Sequence, residues 1–330
     1  MGWKGTVRSI SAAANQAQRE AQRRQREYER RQAQLAKMAE LERAAAEVDI
    51  YEDYIASISN VHAIEVMEVD WRAMANSEPP KPPTKSDAKE RAARSDLDGF
   101  KPRVLESKKR QAARREELEG AVRSAAVQDQ AVYEEALAQH ARDVTEWEAA
   151  KRLAERVLTG DTAALAEAAR EIESMAGGEY LRHADIEIAP GLPPVATVGV
   201  KGIDEIVPNE QRSLLASGRL SVKQMPKGAY NELYQDYVCG SALWVANAVL
   251  GMLPVESLTV NATTEMLNTA SGHIEETMIL SMFVPRPTMA RLNLGMVDAS
   301  DAMTNFKHNM KFLKTKGFQP VDGVKAPDSN

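Results

Sequence analysis

Five histidines (His62, His140, His183, His273 and His308) and one cysteine, Cys239, are the side chains best suited to metal ligation or nucleophilic chemistry near neutral pH. No histidine stands three or four residues from another histidine or from the cysteine, so no metal site is expected. His273, with Glu275 and Glu276 in SGHIEE, is the nearest approach to a polar constellation, and its place between two expected strands reads as a turn. His140 falls at a heptad core position, where a polar residue sets register. Cys239 lies in the apolar run YVCGSALWVANAVL with no neighbouring base, the setting of an inert buried thiol. A lone cysteine excludes intrachain disulfides and fits a reducing, cytoplasmic setting. The chain contains no Gly-x-Ser-x-Gly elbow, no phosphate-binding loop with Gly-Lys-Ser or Gly-Lys-Thr, and no His-Glu-x-x-His, so no cofactor is expected.

Phosphate recognition would need a local basic patch, because 42 Lys plus Arg against 48 Asp plus Glu leave the 330 residues with a net charge of −6. Arg19 to Arg31 is diluted by Glu20, Glu27 and Glu29, the pattern of a solvated helix face. Lys108, Lys109 and Arg110, followed by Arg114 and Arg115, form the denser cluster and the better phosphate-binding candidate.

The elements that carry these residues are mainly helical in the first half, which is rich in Ala, Glu, Arg and Gln. From about Ser11 to Trp71 there is no proline, and one long helix is expected over residues 1–75. Met38, Leu41, Val48, Ile55 and Ile58 recur at helical spacing along one seam of it. Glu78-Pro79-Pro80-Lys81-Pro82-Pro83 opens a Pro-rich linker, 76–102. A second long helix is expected over 103–160, in which Tyr133, Leu137, His140, Val144, Trp147, Lys151, Ala154 and Leu158 alternate steps of four and three like a coiled coil. These two seams are the expected interface, buried against each other in a hairpin or against copies of themselves in a homo-oligomer.

Residues 161–330 read as a C-terminal α+β domain. A short helix is expected after Gly160, then strands at 184–189, 195–201, 219–223, 257–262 and 277–284, with a helix at 229–253. A helix carrying Met303, Phe306 and Met310 should follow Asp298, with an irregular tail after Gly317. The uncharged run Tyr237 to Val255 is interrupted by Asn247, Gly251 and Pro254 and is better read as a buried helix than as a membrane span. The fold class is therefore α+β: a long N-terminal helical coiled-coil stalk, then a small mixed sheet packed with helices.

The order helix, strands at 184, 195 and 219, helix and strand resembles that of restriction-endonuclease-like nucleases, which hold magnesium with an acid and an acid-x-Lys triplet. Here the triplet is Ser221-Val222-Lys223, without its acid, and the nearest carboxylates include Asp204, Glu205 and Glu210. That resemblance implies a nucleic-acid-binding protein or a magnesium-dependent nuclease with a degenerate site at Asp204, Glu210 and Lys223. Separately, MGWKGTVRSI, EVDIYEDYIASI, YNELYQDYVC and MKFLKTKGFQPV resemble a bacterial family with a helical coiled-coil N-terminal half and a C-terminal α+β domain. The resemblance implies a bacterial cytoplasmic protein of two parts and carries no activity. The function expected is non-enzymatic interaction or assembly through the stalk, with a protein partner, and nucleic-acid contact as the alternative.

Overall fold

The computed structural model of the chain describes residues 30–31, 40–66, 68–102, 107–176, 178 and 180–325. Met38 and nearly all of the Arg19–Arg31 run lie outside these. The described residues fall into two compact units, one formed by Arg72–Ala154 and the other by residues up to Trp71 together with Glu155 onward. No described helix is long and apolar enough to cross a membrane.

The second unit is mixed α+β. Its six-stranded sheet runs in the order β1 (Leu181–Glu187), β2 (Val195–Val200), β5 (Ser257–Leu267), β6 (Ile274–Pro285), β7 (Lys307–Leu313) and β8 (Gly317–Gln319). All neighbours are antiparallel except β2 and β5, which are parallel and therefore need a long crossover. That crossover contains the short helix α6 (Ile203–Ile206), a separate hairpin of β3 (Glu210–Leu214) and β4 (Leu220–Gln224), and helix α7 (Lys227–Met252). Alternation divides the sheet into two chemically different faces. Ala196, Val198, Val200, Leu258, Val260, Ala262, Leu280, Met282 and Val284 are fully buried on the face served by α7. The other face is polar along its middle, where the Ser281 hydroxyl donates to Asn261 Oδ1 at 2.7 Å and accepts from the Val324 amide at 2.9 Å. Helix α5 (Thr162–Ala176) packs on β1, and the Glu173 carboxylate accepts from the Ile186 amide at 2.8 Å, satisfying a donor on that edge strand.

Helix α1 (Glu40–Ser59) belongs to this body rather than to a stalk. It packs on α7 and on the β3–β4 hairpin, with Val48 and Ile58 buried, Ile55 half-buried and Leu41 still 56% exposed. The Tyr54 hydroxyl donates to the Ile206 carbonyl at 2.6 Å, and Arg212 pairs with Glu47 at 3.2 Å. The helix expected to reach residue 75 stops at Ser59. A 3-10 turn, Val61–Ala63, follows and buries Val61 and His62 against α7. Asn60, whose side-chain amide donates to the Ala56 carbonyl at 2.8 Å, stands at that stop, and His62 is buried beside Gly240, where an added Cβ would come within 3.2 Å of the ring Nδ1. The chain then follows the end of α7, where the Trp71 indole donates to the Met252 carbonyl at 2.6 Å.

In the first unit the chain passes from α2 (Trp71–Ala75) through the proline-rich segment into α3 (Ala88–Asp98) and α4 (Lys108–Leu158), whose 51 residues span about 77 Å at helical rise. The proline segment and α3 run antiparallel to α4. Trp147 donates to Ser77 Oγ at 2.9 Å, the Glu90 amide to Asp129 at 2.9 Å, and the Arg114 guanidinium lies 5.1 Å from the Phe100 ring centroid. The buried Asp129 thus accepts one of the donors that the first turn of α3 leaves open. The segment read as a linker is an extended strap on α4, a role open to polyproline-like backbone, which needs no ladder hydrogen bonds.

Two assignments at the C-terminal end need correction. The helix expected after Asp298 lasts only from Ala299 to Ala302 as α8, followed by a 3-10 turn, and Met310 lies on β7. Residues 307–313 alternate between exposed and half-buried, a period of two that overrides the weak helical spacing. The tail expected to be irregular includes β8 and continues along the sheet, where the Val321 amide donates to the Met278 carbonyl at 3.0 Å.

Candidate functional site

A grouping of polar side chains lies at one end of the six-stranded sheet. β1 supplies Arg182 and His183, β2 Gly199, β5 Thr263, Thr264 and Glu265, and β6 Ile274 and Glu276, lining an open cleft of about 260 Å³. A register shift between Leu181 and His183 brings the consecutive residues Arg182 and His183 to the same cleft, which regular alternation would forbid. A second shift, between Ala262 and Thr263, leaves Ile279 of β6 as the extra residue. The His183 ring lies directly over Gly199; a Cβ there would stand 2.3 Å from the ring Cε1, so only glycine leaves room for this ring position.

His183 Nε2 is 3.4 Å from carboxylate oxygens of both Asp185 and Glu276, and Glu276 in turn accepts from the Thr263 hydroxyl at 2.6 Å. Arg182 bridges Glu205 at 2.9 Å and Glu265 at 2.5 Å. These two hydrogen-bonded carboxylates raise the arginine's pKa, while Arg182 and the Gly202 amide hold Glu205 below the usual range. Behind the cleft α7 presents Tyr230, Tyr234 and Tyr237 at steps of four and three, one helical face. Tyr230 donates to Asp204 at 2.7 Å, Tyr234 donates to the Lys201 carbonyl at 2.9 Å and accepts from the Thr264 hydroxyl at 3.2 Å, and Tyr237 donates to the Tyr180 carbonyl. Burial pushes the Tyr234 hydroxyl up to about 12, so it serves as a neutral donor that ties the helix to the cleft wall.

The cleft offers oxygen acceptors around one histidine and one already paired arginine, a chemistry suited to hydrogen-bonding a cationic or polyhydroxyl group. Among the described residues no group of three or more His, Cys, Asp or Glu side chains is placed to hold a metal ion. The Thr263 hydroxyl is buried and already donates to Glu276, with the Val198 carbonyl at 3.3 Å as a second acceptor.

The residues singled out from the sequence are distributed elsewhere. Asp204 lies beside the cleft's outer wall on α6, whereas Glu210 and Lys223 are on the β3–β4 hairpin and outside the six-stranded sheet. The strand that would carry an acid-x-Lys triplet is therefore not adjacent to the strand that would carry its partner acid, and the nuclease-like arrangement is not formed. His273 is exposed in the β5–β6 turn, its amide donating to Ser271 Oγ at 3.3 Å. Cys239 is fully buried, with its pKa raised by burial and then by Asp236. Of the interface candidates, Val48, Ile55 and Ile58 lie on α1, which packs on α7 and on the β3–β4 hairpin. On α4, Tyr133, His140, Val144 and Trp147 are half-buried, Leu137 is 39% exposed and Leu158 40%. Lys108, Lys109, Arg110 and Arg115 are exposed, while Arg114 is half-buried over Phe100.

The sequence offered no pattern joining His183 to Arg182, Thr263 and Glu265, of which the last three carried no motif. The available signal was Gly199 within the apolar run VATVGV, since glycine inside a strand marks a close approach. Compared with known proteins, the chain matches no family model, no curated sequence and no solved structure.

Proposed function

We propose that this is a non-enzymatic interaction and assembly protein of the cytoplasm, which self-associates through α4 and presents the α+β domain with its polar cleft to a protein partner. The observation that carries this reading is the incomplete cover of α4. Between Lys108 and Glu148 the helix buries only Ala125 and Asp129, yet Tyr133, Leu137, Val144 and Trp147 keep heptad spacing with the strap over only part of their surface. A helix of this length draws most of its stability from packing of its apolar face, and a second copy of α4 offers the matching seam. Half-buried His140 and Lys151 within that seam would restrict register at some cost in stability.

Sedimentation velocity of the full chain at micromolar concentration tests the reading. A dimer or higher oligomer is expected, converted to monomer by Leu137→Glu with Val144→Glu while the far-ultraviolet circular dichroism is retained. A wild-type monomer throughout the micromolar range would defeat it.

A further inference from the structure

The cleft at the end of the sheet is also a gap in the sheet. β2 runs beside β5 only as far as Gly199 opposite Thr263, because the Lys201 amide and carbonyl bond the Tyr237 and Tyr234 hydroxyls and draw the chain towards α7. β5 continues to Leu267, so Thr264–Leu267 pair with β6 on one side and have no strand on the other. The cleft opens along that unpaired edge. Thr263 bonds Glu276 on one face of the sheet and Thr264 bonds Tyr234 of α7 on the other, yet both line it. Where a strand would lie, the Arg182 side chain crosses from β1 to Glu265 at 2.5 Å.

The side chains around the gap carry an excess of negative charge. Glu265 and Glu276 stand directly opposite each other on β5 and β6, a like-charge pair that costs stability when uncompensated. Arg182 compensates Glu265 together with Glu205. Asp185 and Glu276, both exposed, share His183 and pair with no lysine or arginine among the described residues. Four carboxylates thus surround one guanidinium, and the place that Arg182 fills shows how a cation is held there. Two residues further out, on the same face by alternation, Leu267 and Ile274 form the next opposed pair, 62% and 69% exposed.

We propose that an extended segment of a partner protein adds to the free edge of β5 as a further strand, bearing a lysine or arginine and, two residues on, an aliphatic side chain. Backbone pairing with Thr264–Leu267 supplies affinity, as in other strand additions, and alternate side chains supply the choice of sequence. The cation meets Asp185 and Glu276, and the aliphatic group covers Leu267 and Ile274. An open edge is a template for any chain, and the carboxylates restrict it to a basic one. This names the chemistry of the partner proposed above and rests on that reading of the cleft, not on the α4 seam.

The test is fluorescence anisotropy of the full-length protein with a labelled eight-residue probe, Thr-Lys-Thr-Val-Thr-Lys-Thr-Val, at ~50 mM salt. It should bind at least ~10-fold more tightly than the same peptide with glutamate in place of lysine. Alternate backbone amides of a strand face one neighbour, so one of two N-methylated probes, methylated at the threonines or at the lysines and valines, should lose at least ~10-fold. Asp185→Asn with Glu276→Gln should weaken binding by about 3- to 20-fold, the worth of two partly exposed ion pairs. Should that double variant lose its thermal transition, Asp185→Asn is read alone for a loss of about 2- to 5-fold. Glu210→Gln, on the β3–β4 hairpin, should bind as wild type does. The proposal is overturned if the lysine probe binds no more tightly than the glutamate probe, if both N-methylated probes bind like the parent, or if the carboxylate variants bind like wild type. Displacement of the probe by spermidine at equal concentration overturns it as well, because a bare polycation needs no strand edge. The Leu137→Glu with Val144→Glu chain should bind the probe as wild type does, so a failure of self-association and a failure of the cleft are read separately.

Discussion

At the scale of single residues, burial places charge where solvation alone would not tolerate it. Asp236 on α7 is pushed up to about 6, first by desolvation and then by Asp298, with a hydrogen bond from Ser300 acting in the opposite direction. Asp298 caps α8 by accepting from the Ser300 and Asp301 amides, and these hydrogen bonds hold its pKa below the usual range against partial desolvation. The two aspartates therefore have opposite linkage. For Asp236 the folded state binds the proton more tightly than the unfolded chain, whose ordinary value is near ~3.9. Its ionisation costs stability in full above about pH 6, and the cost fades as pH falls from about 6 towards ~4. Asp298 contributes stability at neutral pH that is lost as pH falls through its lowered folded value. Asp236→Asn should accordingly raise the midpoint of thermal unfolding at pH 7.5, with the gain shrinking at about pH 4. Scanning calorimetry at the two pH values checks this, and a variant less stable than wild type at pH 7.5 would contradict the sign.

At the scale of elements, α1 shows how one amphipathic helix can meet a different partner from the one its pattern suggests. Its spacing required a buried stripe, and a stripe is buried, but by α7 and the β3–β4 hairpin. Ile58 is wholly buried and Leu41 is 56% exposed, although both belong to the same sequence pattern. Ile58→Ala should cost about 2–5 kcal/mol from lost transfer energy and the cavity left behind. Leu41→Ala should stay within about 0.5 kcal/mol, as for an exposed site. Urea unfolding of the two variants decides the matter; equal losses would mean that α1 packs by some other face. The two-stranded β3–β4 hairpin depends on the same contact, because two strands alone are marginal in water and α1 covers them.

At the scale of the whole molecule, the second unit is discontinuous in sequence, and the boundary expected near residue 160 does not delimit an independent body. Ile58, Val61, His62 and Trp71 are all at most 3% exposed, in a segment that packs on α7 and follows its C-terminal end. A chain beginning at Glu155 would open the surface of α7 that this segment covers. Such a chain should lose cooperative thermal unfolding, while addition in trans of a peptide spanning 40–71 should restore it in part. A sharp transition at the full chain's midpoint, read by circular dichroism, would show instead that the sheet and α7 suffice. The α+β character of this unit, its central strands and α7 were legible in the sequence because period-two and continuous apolar runs directly record burial.

The sequence by itself determined where the backbone is helical and where it is extended through most of 108–285, since those choices follow from propensity and local apolar period. It also determined that no cysteine pair could staple the fold. Only the tertiary structure decided which apolar seam meets which, that the proline segment lies back along α4, and that Arg182, His183, Thr263 and Glu276 converge. The physical reason is that pairing between distant elements, strand bulges and the room left by Gly199 depend on register and packing. Amphipathic spacing states that a face must be covered, and it is silent on what covers it.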